Sequence, residues 1–238
     1  MTAEETIKDD RKYATRAPRR PRFGDRHRSK PVVRQIKVLR RDNEGSVEDH
    51  ARAGATAGLK IIHFGGLGEI GKNNMVAIQY NDEIILIDGG LGFPRQNMPG
   101  IDFSIPNVGY LAGKEHMIQA WFFSHGHLDH IGAVPFIINK VGDPDIYAAP
   151  LTKALLLKRM EEFKDRKPLA IEEFKAGDEV SAGKYFKVKA HRISHSIPDD
   201  LLFEIKTPVG TIVHTYDYKM DRDPVNDQPA NLEELKAV

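Results

Sequence analysis

The run Ser124-His125-Gly126-His127-Leu128-Asp129-His130 places four potential metal ligands within six residues. No other stretch constrains the fold as much. It follows the apolar segment Ala120-Trp-Phe-Phe-Ser124 and precedes a helical spacing over 131–141. The pattern predicts a ligand loop at the C-terminal end of a strand, where open α/β sheets converge side chains on a crevice outside the ladder hydrogen bonds. In an extended segment His125 and His127 face the same way and grip one metal, with Gly126 allowing a sharp turn between them. Asp129 and His130 then point to a second position. Two ions about 3.5–4 Å apart, sharing one hydroxide, suit that division. The 238 residues include no Cys, so thiolate ligation and disulfides are excluded and the ligands must be His and carboxylate.

Two metals need further ligands, and His195 and Asp217 stand just beyond later apolar segments. Taken singly, each has an ordinary reading as a hydrogen-bonded histidine and a turn aspartate. Beside the first run they become candidate ligands. The intervening pattern predicts strands over 59–64, 75–80, 83–87, 119–124, 146–148, 185–190, 202–206 and 211–215, with helices over 131–141 and 151–163. Asn81-Asp82 and Thr207-Pro-Val-Gly210 mark hairpin turns. Gly66-Leu-Gly68-Glu-Ile-Gly71 matches a dinucleotide fingerprint in letters only. Those glycines lead into the alternating strand-like run at 75–80 instead of opening a helix, so they predict a tight loop near the floor of the site.

Charge divides the chain. Residues 1–58 hold 15 Lys and Arg against 9 Asp and Glu, and the remainder 20 against 25. Between Arg11 and Arg41 there are 13 basic residues and one acid, Asp25, broken by Pro18, Pro21 and Pro31. This composition predicts a disordered basic tail over 1–58, either a phosphate-neutralising arm for nucleic acid or a solvated extension. The packed α/β domain is expected over 59–238. The start of the sequence has no apolar signal-peptide core, and nowhere does an apolar stretch approach the roughly 20 residues that span a bilayer. A cytoplasmic protein with no membrane partner is expected.

The order Asp88-Gly-Gly, Ser-His-Gly-His-Leu-Asp-His, His195 and Asp217 resembles the metallo-β-lactamase superfamily. Gly65-Gly-Leu-Gly-Glu-Ile-Gly-Lys-Asn73, Asp88-Gly-Gly-Leu-Gly-Phe-Pro94, Met98-Pro-Gly-Ile-Asp102, His195-Ser-Ile-Pro-Asp199 and Thr207-Pro-Val-Gly-Thr-Ile-Val-His-Thr215 are similar to ribonuclease J of its β-CASP branch. The resemblance implies an αββα sandwich and a zinc-dependent ribonuclease with two Zn²⁺ per site, Mn²⁺ being the other candidate. It implies 5′-to-3′ exonuclease and endonuclease action on single-stranded RNA in RNA processing and decay, by a homodimer or homotetramer of the full-length protein. By position His125, His127 and His195 hold one metal, Asp129 and His130 the other, and Asp217 bridges them. Asp88 orients the metal loop from behind. A metal-bound hydroxide attacks phosphorus in line, with Asp129 and His130 as the catalytic pair and Asp129 helping to handle the proton.

The sequence departs from that family in three ways. No histidine follows His214, whereas the family completes its second metal site with one far downstream. The chain stops where such enzymes continue into a β-CASP domain and the rest of the sandwich, so a fragment with an incomplete sandwich and an open apolar sheet face is expected. Tyr216 and Tyr218 stand where the family usually has Gly and Phe. The competing expectations are a truncated, non-catalytic RNA-binding product and a hydrolase of small esters or thioesters.

Overall fold

The computed structural model describes residues 32–35, 58–68, 70–95, 98–225 and 228–236. Its first sheet runs β1 (Val32–Gln35), β2 (Leu59–Gly65), β3 (Met75–Tyr80), β4 (Glu83–Ile87), β5 (Ile118–Phe123), β6 (Asp145–Ala148) and β7 (Ile171–Glu173), in that spatial order. Pairing is antiparallel as far as β4 and parallel from β4 to β7. Parallel neighbours need crossovers. Two of these contain α-helices, α1 (Leu128–Ile131) with α2 (Val134–Ile137), and α3 (Pro150–Met160), and the one from β4 to β5 contains two 3-10 turns. The second sheet is an antiparallel meander of β8 (Glu179–Ala182), β9 (Phe186–Arg192), β10 (Leu201–Thr207) and β11 (Gly210–His214). A short helix α4 (Leu232–Lys236) follows.

Central strands of the first sheet, β3, β4 and β5, are buried on both faces, and their sequences are mostly apolar, interrupted only by Gln79, Glu83 and Gln119. On one face Ile84, Leu86, Trp121 and Phe123 meet Ile131, Val134, Ile137 and Leu156 of the helical layer. On the other, Ile78, Ile85, Ile87 and Phe122 meet Phe186, Val188, Phe203 and Ile205 of the second sheet. The Phe122 ring lies 5.1 Å from Tyr147, 5.6 Å from Phe174 and 5.7 Å from Phe203. The faces are set by a register shift in β4–β5. Ile84 pairs Ile118 but Ile85 pairs Ala120, which turns Ile118 and Ala120 to opposite faces.

Several expectations are corrected. The single helix over 131–141 is two short α-helices and a 3-10 turn. Gly132 ends α1, and Pro135, lacking an amide hydrogen, sits at the start of α2, where that lack costs nothing. Strands β7 and β8, absent from the expected set, are only three and four residues long. The expected open apolar sheet face does not occur among the described residues. The outward face of the second sheet carries Lys187, Lys189, Glu204 and Lys206, with Lys187 2.6 Å from Glu179 and His191 Nε2 2.8 Å from Glu204. From α4, Glu234 reaches His191 Nδ1 at 3.2 Å.

The expected basic tail lies outside the described residues except at 58 and at Val32–Gln35, which forms the edge strand β1 on β2 instead of unstructured chain. Adjacent β-branched Val32 and Val33 favour that extended state. Among the described residues no helix is long and apolar enough to cross a membrane.

Beyond β4 the chain passes under α1 at Gly89 and Gly90. Gly89 N donates to His130 O at 2.6 Å and Leu91 N to Leu128 O at 2.9 Å. A Cβ on Gly90 would lie 1.4 Å from the Asp129 carbonyl oxygen, a backbone atom with nowhere to retreat. Gly90→Ala is therefore expected to lower stability by about 1–3 kcal/mol or more, the usual range for overpacking. Chemical denaturation of both proteins measures it. Wild-type stability in the variant would show that this contact does not hold α1 in place.

Candidate metal centre

Four strand ends, two from each sheet, bring the candidate residues together. Asp88 follows β4, His125 and His127 follow β5, His195 lies beyond β9, and Asp217 lies beyond β11. Two backbone links fix the approach. Leu201 N donates to Ser124 O at 3.0 Å, tying β10 to the end of β5, and Lys219 N donates to Ser194 O at 2.7 Å, stitching the His195 loop to the Asp217 loop. Asp129 and His130 occupy the first turn of α1, three residues earlier than the expected helix start. Gly126 is not among the positive-φ glycines. Its role is clearance, since a Cβ there would meet Leu155 Cδ1 at 2.4 Å.

Ligand atoms of His125, His127 and His195 all lie within 4.8 Å of one another, as do those of His125, His130 and Asp217. His125 Nε2 stands 3.0 Å from His127 Nδ1. His130 Nε2 is 3.4 Å from Asp129 Oδ2 and 3.5 Å from Asp217 Oδ2, and His195 Nε2 is 3.8 Å from that same Asp217 oxygen. Asp217 thus touches both groups. Tyr216 does not displace it. Its ring packs on the protein side, 5.0 Å from His130 and 4.2 Å from His214, with its hydroxyl buried and without a hydrogen-bond partner.

Asp88, fully buried and held at φ +56°, lies behind this cluster. One carboxylate oxygen accepts from Ser124 N at 2.8 Å. The other accepts from Ser124 Oγ at 2.7 Å and from His130 Nδ1 at 2.8 Å. Sequence reasoning missed two more participants. Asn74 Nδ2 donates to Asp129 Oδ2 at 3.0 Å and stands 3.0 Å from His130 Nε2, and no local motif marks a partner 55 residues away. Asp200 places Oδ1 3.6 Å from His125 Nδ1. The expected word ended one residue earlier, at Asp199, whose carboxylate instead accepts from Leu151 N at 3.2 Å.

The electrostatics follow from these contacts. Burial and the neighbouring imidazoles of His130, His127 and His195 push His125 down to about 2, so it is neutral with a lone pair available. Burial opposes charge on His130 as well, yet hydrogen bonds to Asp129, Asp217 and Asp88 prevail and push it up to about 11. Asp217 is lowered, chiefly by its hydrogen bond with His130. Asp129 is lowered despite burial, because His130 bonds to it. Burial, reinforced by the Asp88 carboxylate, pushes Asp200 up to about 8. His125 Nε2 facing His127 Nδ1 at hydrogen-bond distance, with carboxylates beside them and with the far nitrogens of His125 and His130 held from behind by Ser124 and Asp88, forms a donor set that fits divalent cations.

The chain is 42% identical over 195 residues to Ribonuclease J of Thermus thermophilus, covering 80% of this chain and 32% of that protein. It is 42% identical over 162 residues to Ribonuclease J of Mycoplasma genitalium, covering 68% and 28% respectively. To Ribonuclease J 1 of Streptococcus pyogenes it is 39% identical over 178 residues, covering 75% and 31%. The chain therefore spans about a third of the length of the curated relatives it matches. The family described as the Metallo-beta-lactamase superfamily matches residues 68–220, a span that takes in every residue of the cluster, and the chain belongs to that superfamily.

Proposed function

We propose that this chain is the metal-binding catalytic segment of a ribonuclease J-like phosphodiesterase that cleaves single-stranded RNA, both 5′-to-3′ from an end and internally. The observation that carries the proposal is the convergence of His125, His127, His195, His130 and Asp217 on adjoining positions, with Asp129 beside them. Similarity to proteins named Ribonuclease J supports the substrate class. The nitrogen-rich, thiolate-free donor set favours Zn²⁺, with Mn²⁺ as the other candidate. His125, His127 and His195 would hold one ion, Asp129 and His130 the other, with Asp217 shared. When bound, the two ions would supply a water ionised near neutral pH and positive charge to offset that of the reacting phosphate.

The protein's own side chains divide the remaining work. His125 and His130 are completely buried, whereas Asp129 and His195 are each 18% and Asp217 32% exposed, so a phosphodiester approaches from the side on which these three lie. Asp129, anionic and steered by Asn74, is placed to accept a proton from the attacking water. Asp88 holds His130 through Nδ1, which turns Nε2 towards the site.

Two experiments test the proposal. The wild-type chain is expected to hold close to two zinc ions by elemental analysis. His127→Ala is expected to lower that content, and Asp129→Ala to reduce cleavage of labelled single-stranded RNA at least about 100-fold, the lower range for losing a general base. At most one weakly held metal and no cleavage by the wild-type chain would reject autonomous activity in favour of the non-catalytic reading. The second experiment removes residues 1–31, which carry ten Lys and Arg, while keeping β1. Binding to single-stranded RNA should weaken, and its dependence on salt should become shallower, because fewer counterions are released. An unchanged salt slope would reject the phosphate-neutralising arm.

A further inference from the structure

Asp200 is a buried carboxylate whose chemistry the ligand set leaves unused. Its side chain is 1% exposed, and its Oδ2 is buried without a hydrogen-bond partner. Its place is fixed largely by backbone, and its carboxyl also has a hydrogen bond with the Leu201 backbone. Leu201 N donates to Ser124 O at 3.0 Å, and Ile193 N to the Asp200 carbonyl at 3.3 Å. A carboxylate taken from water without full pairing costs stability unless positive charge comes to it. Among the described residues, the imidazole that an ion pair places beside it is His125, whose Nδ1 is 3.6 Å from Oδ1.

On the other side of the centre, His130 has Asp88 at 2.8 Å from its Nδ1. The arrangement at His125 is a looser version of this one, with Asp200 at ion-pair distance, 3.6 Å, where Asp88 hydrogen-bonds. When Nε2 of either ring binds a cation, Nδ1 must carry the hydrogen, and a carboxylate behind it fixes the ring and increases the basicity of Nε2. Ser124 Oγ is also 3.0 Å from His125 Nδ1, but its only hydrogen is directed to Asp88 Oδ2 at 2.7 Å. It offers Nδ1 a lone pair and no charge.

We propose that Asp200 is a positioning residue for the metal centre, a buried carboxylate whose ion pair with the Nδ1 side of His125 holds that ring when its Nε2 binds a divalent cation. The inference rests on the metal-centre reading of the site. It carries a signature that a purely structural residue lacks. In the metal-free protein Asp200 is an incompletely paired buried group and opposes folding, whereas in the metal-loaded protein it contributes to binding.

The test uses Co²⁺ as probe on the full chain, with Asp200→Asn as the isosteric variant and Asp200→Ser as a smaller one. Chelator competition and the visible ligand-field spectrum report on metal, and thermal unfolding reports on the metal-free protein. Asp200→Asn is expected to weaken Co²⁺ binding by about 10- to 100-fold, to shift the spectrum, and to raise the melting temperature of the metal-free protein. Unchanged affinity and spectrum in both variants would overturn the inference while leaving the metal centre intact. Loss of metal binding together with a lower metal-free melting temperature in both variants would overturn it too, by assigning Asp200 to packing. A wild-type chain that binds no Co²⁺ would overturn the metal-centre reading and this inference with it.

Discussion

The Asp88 carboxylate is the contact on which the rest of the site depends. Its two oxygens receive Ser124 N, Ser124 Oγ and His130 Nδ1, so one buried group ties the end of β4 to the end of β5 and to α1. Trp121 Nε1 donates to its carbonyl at 3.0 Å, adding a link to the aromatic core. The residue pays for this position with a left-handed backbone at φ +56°, which non-glycine residues adopt only when their surroundings determine it. Burial raises its pKa, and the donors around it oppose that rise. A neutral side chain of the same shape would leave buried donors facing no charge.

That arrangement explains why two imidazoles with ring centres 4.0 Å apart behave oppositely. His130 has carboxylates against both nitrogens, Asp88 on one side and Asp129 with Asp217 on the other. His125 is surrounded mainly by other imidazoles, and the nearest carboxylate of an ion pair is Asp200 at 3.6 Å. Burial discourages charge on both rings equally in kind, so the difference comes from neighbours. In the protein without metal, a proton on His130 does part of the neutralising that cations would do. On the proposed ligand set, Asp129 and Asp217 would serve as proton partners in one state and metal partners in the other.

Much of the site was legible because its residues report their own geometry. Histidines two apart after an apolar strand must share a face, and His195 and Asp217 announce themselves by following later apolar strands. Buried on both faces, strands β3 to β5 also leave an unmistakable apolar signal. What escaped has a different physical character. Strand β7, Ile-Glu-Glu, buries one residue of three, and β8 buries one of four, so neither carries a pattern beyond its turns. Asn74 acts through a partner 55 residues distant, and Asp200 through proximity to His125 in the other sheet. Such roles depend on tertiary placement alone. The break between α1 and α2 was readable in principle from Pro135, but apolar periodicity continues through it and hides the interruption.

Because His125 belongs to the first sheet while His195 and Asp217 belong to loops of the second, the distances within the cluster are set by how the two sheets pack. Phe122 lies three residues before His125 and is sandwiched against Phe203, two positions beyond Leu201. Close packing of that layer transmits small changes in side-chain volume, since interiors deform little and at measurable cost. Tyr216 shows the same coupling from the opposite side. Its ring fills space between His130 and His214, next to the aspartate that touches both ligand groups. A glycine at that position would leave His130 without its edge contact, and the Asp217 loop would then depend more heavily on the Ser194–Lys219 bridge. The candidate metal centre and the apolar core are thus one mechanical unit, in which the ring layer sets the spacing between the carboxylates and imidazoles.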